Sequence, residues 1–311
     1  MNGREKPRKM RSRKRLAYGV IALVFILAFF LAYSSLHSSP PKVAIVDHLS
    51  FYPEQRNQTF VDASINILDE GGLTWAYHNG TEVTVDFYRK LPRYGTSLII
   101  LRVHSAIMKT ENGTISILGL FTSELYSEEA ARKYRDDVLN NRLVIAFFTL
   151  EGKEYFGIVP EFIEKSMEGR FDDTIIIMMG CEGLGYINAR THTQVAYIDM
   201  AEAFVKKGAK VYISWDGPVS MDHTDQATVH LLQSLIPKKR TIREAVEQTN
   251  YDVGPDPIYN STLKYHPNTA EIGNYTIPNL KDVLTLNIIA YASPTLRTPK
   301  RPEYTAQARA S

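Results

Sequence analysis

The chain is poor in cysteine: Cys181 is the only one among its 311 residues. A single thiol cannot form an intrachain disulfide, so the fold must be stabilised by a hydrophobic core. The sequence also lacks Cys-x-x-Cys and His-Glu-x-x-His patterns, a Gly-x-Ser-x-Gly turn and a glycine-rich phosphate loop. These absences exclude a disulfide scaffold, and we expect neither a metal ion nor an organic cofactor.

The amino-terminal segment combines a basic tail with a long apolar run. Residues 1–15 hold eight Lys or Arg against one acidic residue, and the next 18 residues, LAYGVIALVFILAFFLAY, carry no charge. A helix of this length rises about 27 Å, close to the hydrocarbon thickness of a bilayer. Because positive charge stays on the cytoplasmic side, we predict a cytoplasmic tail over residues 1–15 and an uncleaved transmembrane signal anchor over residues 16–34. The main domain of this single-pass membrane protein would then face the cell exterior.

The remainder of the chain is acidic. Removing the +7 of the tail from the overall charge of +2 leaves −5, which gives no sign of a nucleic-acid surface. An outer domain also fits the five Asn-x-Ser/Thr triplets, the acceptors of N-linked glycans. These candidate glycan sites are Asn57, Asn79, Asn112, Asn260 and Asn274.

A Ser/Pro-rich linker over residues 35–42 precedes a domain that we expect to span residues 43–250. Apolar strand-like runs alternate with amphipathic helical segments there, which predicts an α/β fold with a mainly parallel sheet and helices on both faces. Residues 82–88, EVTVDFY, are expected to form the second strand, and residues 115–121 a small hairpin with the segment before them. Residues 251–311 are expected to be a C-terminal extension with a disordered end.

Two of the apolar runs end in residues with complementary chemistry. LIILRVHS leads to His104, and TIIIMMGC leads to Cys181. Strands that are buried on both faces present polar groups at their ends, so we expect the imidazole and the thiol at one rim of the sheet. We therefore predict Cys181 as the nucleophile and His104 as the general acid/base. The backbone amides of Cys181 and Ser105 are the candidate donors to the oxyanion.

This order of motifs resembles the caspase-like cysteine peptidases, the group that includes caspases, gingipains, legumain, separase and the CHAT domains. Their hallmark is an apolar strand ending in His-Gly, followed after a spacer by another ending in Ala-Cys or Gly-Cys. LIILRVHS and TIIIMMGCEGL match that order, with Ser105 in place of the usual glycine. The resemblance covers residues 42–236 and implies a three-layer α/β/α caspase-like sandwich with a mainly parallel sheet, here preceded by one transmembrane helix.

The segment MAEAFVKKGAKVYISWDGPVSMDHTDQA is similar to the one that follows the nucleophile in CHAT domains and separase. In separase this segment helps to hold an arginine side chain before the scissile bond. The resemblance thus implies cleavage after Arg or Lys, because a carboxylate can pair with a guanidinium through two hydrogen bonds. The implied substrate-binding residues are Trp215, Asp216 and Asp222.

The sequence supports three readings of function. The first is a membrane-anchored extracytoplasmic cysteine endopeptidase that acts on a protein or peptide through the His104/Cys181 dyad. The second is a catalytically inactive caspase-like domain that binds a peptide or acts as a sensor at the cell surface. The third is a plain α/β domain in which Cys181 is a small buried apolar residue, as free cysteines often are.

Overall fold

The computed structural model of the protein describes residues 42–109, 115–148, 151–188 and 191–277. The predicted tail, the signal anchor at residues 16–34, Asn112 and the end of the C-terminal extension lie outside these residues. Within the described ranges, no helix has the length and the apolar character needed to cross a membrane.

The centre of the fold is a six-stranded sheet in the order β2-β1-β3-β8-β11-β12. The first five of these strands are parallel, and only the edge strand β12 runs antiparallel, against β11. This confirms the predicted α/β class with a mainly parallel sheet. The strands are β1 (Lys42–Asp47), β2 (Thr74–Asn79), β3 (Leu98–Arg102), β8 (Ile175–Met178), β11 (Val211–Trp215) and β12 (Leu263–His266).

The three central strands β3, β8 and β11 are buried throughout, which explains their continuous apolar sequences. Alternate side chains point into two core clusters, one on each face of the sheet. Helices α2 (Val85–Lys90), α5 (Pro160–Lys165) and α6 (Asp199–Lys206) pack on one face. Helices α1 (Gln58–Glu70), α7 (Met221–Leu235) and α8 (Ile242–Val253) pack on the other.

A second sheet is inserted between β3 and β8. It is four-stranded and antiparallel, in the order β4-β5-β7-β6. The predicted hairpin around residues 115–121 is confirmed, since β5 pairs with the preceding β4. The insertion comprises β4 (Ser105–Lys109), β5 (Ile115–Leu125), α3 (Glu128–Lys133), α4 (Arg135–Leu139), β6 (Leu143–Phe148) and β7 (Lys153–Ile158).

The prediction of a strand over residues 82–88 is wrong. The second strand is β2, and residues 85–90 form helix α2. A capping box between Asn79 and Glu82 ends the strand, and the Thr84 side chain then accepts a hydrogen bond from the Phe87 amide as the N-cap of α2. The alternating apolar residues of EVTVDFY imitate a strand, whereas the true strand TWAYHN is half exposed and partly polar.

The domain also extends beyond residue 250, where the C-terminal extension was expected to begin. Strand β12 completes the main sheet, and Leu263, Ile272 and Ile277 belong to the buried core. The Asn250 side chain both donates to the Leu263 carbonyl and accepts from the Leu263 amide, so it attaches this segment to the end of α8. The remaining elements are the short strands β9 (Gly185–Ile187) and β10 (Gln194–Ala196) and helix α9 (Ala270–Gly273).

Candidate functional site

Four polar residues follow the carboxyl ends of four parallel strands. His48 follows β1, His104 lies two residues after β3, Cys181 lies three residues after β8, and Asp216 follows β11. In doubly wound sheets, ligands bind outside the carboxyl ends of the strands, near the point where the strand order reverses. That point lies between β1 and β3 here. The sequence-predicted dyad therefore lies on one rim of the sheet, at the place where such folds bind ligands.

Cys181 sits in a tight turn between two glycines that cannot be replaced without a clash. A Cβ atom on Gly180 would collide with the Ser105 hydroxyl and the Val103 carbonyl, and one on Gly183 would collide with the Ser214 side chain. Glu182 adopts a left-handed conformation with φ 65°, which is uncommon for a residue with a side chain. The turn presents the half-buried Cys181 at the end of the sheet, with its Sγ 3.5 Å from both the amide nitrogen and the carbonyl oxygen of Val219.

The thiol of Cys181 is neutral in this environment. Burial raises its pKa, and the nearby carboxylates of Glu182 and Asp256 raise it further. A thiol of this kind attacks a carbonyl only if a base removes its proton. A reaction at this thiol would therefore require a base nearby.

Strand β4, which begins directly after His104, is joined to the cysteine turn by two hydrogen bonds. The Ser105 hydroxyl donates to the Cys181 carbonyl oxygen at 2.6 Å, and the Ile107 amide donates to the Glu182 carboxylate at 3.0 Å. On the other side, Phe121 N–H donates to the His104 carbonyl, so Ser105 forms a non-hydrogen-bonded pair with Leu120. The Ser105 amide thus points away from β5, to the same side as the Ile107 amide and the turn.

The His104 ring is packed among aromatic side chains. Its Nε2 lies 2.7 Å from Oε1 of Gln55, and the rings of Phe148 and Tyr52 lie 5.1 and 5.7 Å from it between centroids. Burial, assisted by the positive charge of Arg102, lowers the pKa of His104 to about 4. The imidazole is therefore neutral near pH 7 and able to accept a proton. Among the described residues, the structure gives no hydrogen bond between this ring and Sγ of Cys181.

A buried ion-pair network that was not predicted from the sequence lies next to His104. Arg102, only 1% exposed, pairs with Asp47 at 2.9 Å and with both carboxylate oxygens of Asp225 at 2.8 and 2.9 Å. Its guanidinium also donates to the Gln55 carbonyl at 3.0 Å. A charged residue inside the apolar run LIILRVHS is a usable signal, because a buried arginine needs carboxylate partners. Nothing in the local sequence indicates Gln55.

The implied substrate-binding residues have different surroundings. Trp215 is buried, and its Nε1 donates to the Thr224 hydroxyl. Asp216 accepts hydrogen bonds from the amide and the hydroxyl of Thr262, at 2.7 and 3.0 Å. Asp222 is exposed in the first turn of α7. The structure thus leaves one of the two carboxylates open and engages the other with the segment before β12.

The candidate glycan acceptors also differ. Asn57 is half-buried, and its side-chain amide donates to Asp225 at 2.8 Å while its oxygen caps α1. Asn79, Asn260 and Asn274 are exposed. Asn57 is therefore poorly placed to carry a glycan, since its nitrogen is committed to the buried network.

In the part of the chain that the structure describes, no three His, Cys, Asp or Glu side chains come together as a metal site would require. Comparison with models of known protein families finds none that matches the chain, and no curated protein matches it. The function must therefore be inferred from the geometry of the rim.

Proposed function

We propose that the protein is a membrane-anchored extracytoplasmic cysteine endopeptidase of the caspase-like type, with Cys181 as nucleophile and His104 as general acid/base. The hydrogen bond from the Ser105 hydroxyl to the Cys181 carbonyl is the observation that carries the proposal. It joins the start of β4, one residue after His104, to the turn that follows β8 and carries Cys181. The imidazole and the thiol lie on the same rim of the sheet. In the proposed complex, the peptide carbonyl of the substrate would bind between them.

The proposed reaction is acyl transfer to the thiol. The neutral imidazole takes the Cys181 proton as Sγ bonds to the carbonyl carbon of the substrate, and the amides of Cys181 and Ser105 stabilise the oxyanion. The imidazolium then gives its proton to the leaving amine as the C–N bond breaks. Water, deprotonated by the same imidazole, hydrolyses the thioester and restores the thiol.

The architecture supports the caspase-like part of the proposal. Helices cover both faces of a sheet with five parallel strands, as the resemblance requires of a three-layer sandwich. The residues between His104 and Cys181 are largely accounted for by the inserted sheet of β4 to β7. The long spacing between the two motifs is thus compatible with neighbouring strand ends.

Cleavage after Arg or Lys stays part of the proposal, with Asp222 as the better candidate for the substrate contact. It is exposed, whereas Asp216 accepts from Thr262 and has Lys264 Nζ at 3.8 Å. A substrate guanidinium would compete with these partners at Asp216. A peptide library cleaved by the purified full-length protein should show Arg or Lys before the scissile bond, and Asp222→Asn should weaken that preference while Asp252→Asn, exposed on α8, leaves it unchanged. A preference for acidic or apolar residues would contradict this assignment.

A peptide-binding or sensor domain is the second candidate, and one observation favours it. His104 is bonded to Gln55 inside the aromatic cluster, while Sγ of Cys181 faces Val219. A resting enzyme can hold such groups apart until substrate binds, but a domain without turnover would keep them apart permanently. The two candidates therefore differ in whether the thiol reacts with the help of the imidazole.

Covalent labelling of the full-length protein tests this difference. Wild type should react rapidly at Cys181 with a peptidyl acyloxymethyl ketone that has Arg before the reactive group, and Cys181→Ala should abolish labelling. His104→Ala should slow the reaction at least about 100-fold, because general base catalysis contributes roughly that much. His230→Ala on α7 is the matched control and should react like wild type. Equal slow labelling of wild type and His104→Ala would exclude the peptidase and favour the binding domain.

A further inference from the structure

Gln55 is a buried polar residue with two separate partners. It is 6% exposed and ends the short 3₁₀ helix Pro53–Gln55, between β1 and α1. Its backbone carbonyl accepts from Nη2 of Arg102, and its side-chain oxygen lies 2.7 Å from Nε2 of His104. Buried amide groups need hydrogen-bond partners, so these contacts fix both the main chain and the side chain of Gln55.

The hydrogen bond from Arg102 fixes the position of the Gln55 main chain. Arg102 is the last residue of β3 and is held by Asp47 at the end of β1 and by Asp225 on α7. His104 follows Arg102 by two residues. Gln55 and His104 are therefore both positioned by the same buried arginine, one through a hydrogen bond and the other through the chain.

We infer that Gln55 is the positioning residue of His104: its side-chain oxygen accepts the Nε2 proton, so that Nδ1 is left as the nitrogen that takes up a proton. An amide is suited to this task because it is neutral. It selects one tautomer without stabilising the imidazolium, as a carboxylate would. The transfer of the Cys181 proton to Nδ1 rests on the proposed function. The tautomer of His104 does not depend on catalysis.

The charged and titratable groups around the ring agree with a neutral imidazole. Arg102 lies near it, and its positive charge disfavours a further one on the ring. The neighbouring ring of His48, 6.1 Å away between centroids, is itself neutral because it is completely buried. Tyr52 and the phenyl rings of Phe121 and Phe148 supply an apolar wall. Apart from Gln55, no described side chain forms a hydrogen bond with the ring. The hydrogen bond with Gln55 therefore determines the tautomer of His104.

Imidazole nitrogen NMR tests the inference without any need for activity. The full-length protein has eight histidines, so selective ¹⁵N labelling gives few signals, and comparison with His104→Gln assigns the one required. Wild type should show a single His104 tautomer with the proton on Nε2. Gln55→Ala should show a mixture of both tautomers, and Gln55→Glu should raise the pKa of His104 by at least about one unit.

The matched control is Gln58→Ala, because Gln58 is exposed on α1 and its side chain donates to Asp62, away from the His104 ring. It should leave the His104 signals unchanged. A proton on Nδ1 in wild type would overturn the inference even if the Gln55 variants do not fold. Unchanged tautomers in a folded Gln55→Ala variant would overturn it as well.

The labelling reaction separates this inference from the proposed function. If Cys181 reacts by way of His104, Gln55→Ala should lower the labelling rate at least about tenfold. Gln55→Glu should still be labelled, but the fall of its labelling rate at acid pH should begin at a higher pH than in wild type. Absence of labelling in wild type, together with the Nε2 tautomer, would reject the peptidase and keep the positioning role. Normal labelling of wild type together with a proton on Nδ1 would support the peptidase and reject the positioning role of Gln55.

Discussion

At the scale of single residues, the two histidines at the rim differ in their access to solvent. His104 is half-buried, whereas His48 is completely buried beside it, with ring centroids 6.1 Å apart. Burial, and next the neighbouring His104, lower the pKa of His48 to about 3. Both rings are therefore neutral in the folded protein at pH 7, and at equilibrium each binds a proton more weakly than it does in the unfolded chain.

Replacement of His48 by Phe should make stability less sensitive to acid. The folded-state pKa of His48 lies below the unfolded value near 6.5, so the unfolded state binds the extra proton as the pH falls. This lowers the free energy of unfolding of wild type by about 1.4 kcal/mol per pH unit between about pH 6 and 4. His48→Phe should lack that part of the slope in denaturant titrations at several pH values.

His230→Phe, a half-buried histidine on α7, is the control and should keep the wild-type slope. Groups that titrate in the same range but lie away from His48 contribute equally to both proteins and cancel in the comparison. Identical slopes for His48→Phe and wild type would show that His48 is not held neutral by the fold.

At the scale of elements, the cysteine turn depends on the close approach of β4. Gly180→Ala would place a methyl group against the Ser105 hydroxyl and the Val103 carbonyl. We expect a loss of about 1–3 kcal/mol in the free energy of unfolding, as is usual for overpacking, together with loss of Cys181 labelling. Gly119→Ala in β5 is the control, because its methyl group would meet neighbours only at an ordinary contact distance of 3.6 Å. Equal stability of the two variants would contradict the tight turn.

The same elements show what can be predicted from the sequence. The buried parallel strands β3, β8 and β11 are readable because burial on both faces makes them continuously apolar. Their ends therefore locate His104 and Cys181 as well. The half-exposed edge strand β2 and the four-residue β12 have no such signature, and the alternation in residues 82–88 belongs to a helix. Gln55 could not be found, since its contact with His104 spans 49 residues.

At the scale of the whole molecule, the main sheet is closed at one edge by the segment after residue 250. Besides the β12 ladder, Asp256 accepts hydrogen bonds from the amide and hydroxyl of Ser220, next to the Val219 that contacts Cys181. The Ser261 hydroxyl donates to the Pro218 carbonyl. The segment between β11 and α7, which carries Asp216 and leads to Asp222, is therefore held by the carboxyl-terminal segment.

Truncation tests how far the domain extends. A chain that ends at residue 250 loses the buried side chains of Leu263, Ile272 and Ile277 as well as the β12 ladder. Each buried apolar side chain contributes about 1.5–3 kcal/mol, so their loss is comparable to the whole stability of a typical domain. We expect this truncated chain to lose cooperative unfolding, and a chain that ends at residue 277 to retain it. Cooperative unfolding of the shorter chain would place these residues outside the folding unit.

The outer edge of β4 has a mechanical consequence. On this edge, Ser105 and Ile107 donate hydrogen bonds to the Cys181–Glu182 turn, while the opposite edge of β4 pairs with β5 in the inserted sheet. Only the ladders of β4, β5, β7 and β6 separate the sulfur from the exposed side chains of Ile145 and Phe147 on the last strand. A force applied to that distant strand would therefore be transmitted through the hydrogen-bonded ladders to the Cys181–Glu182 turn.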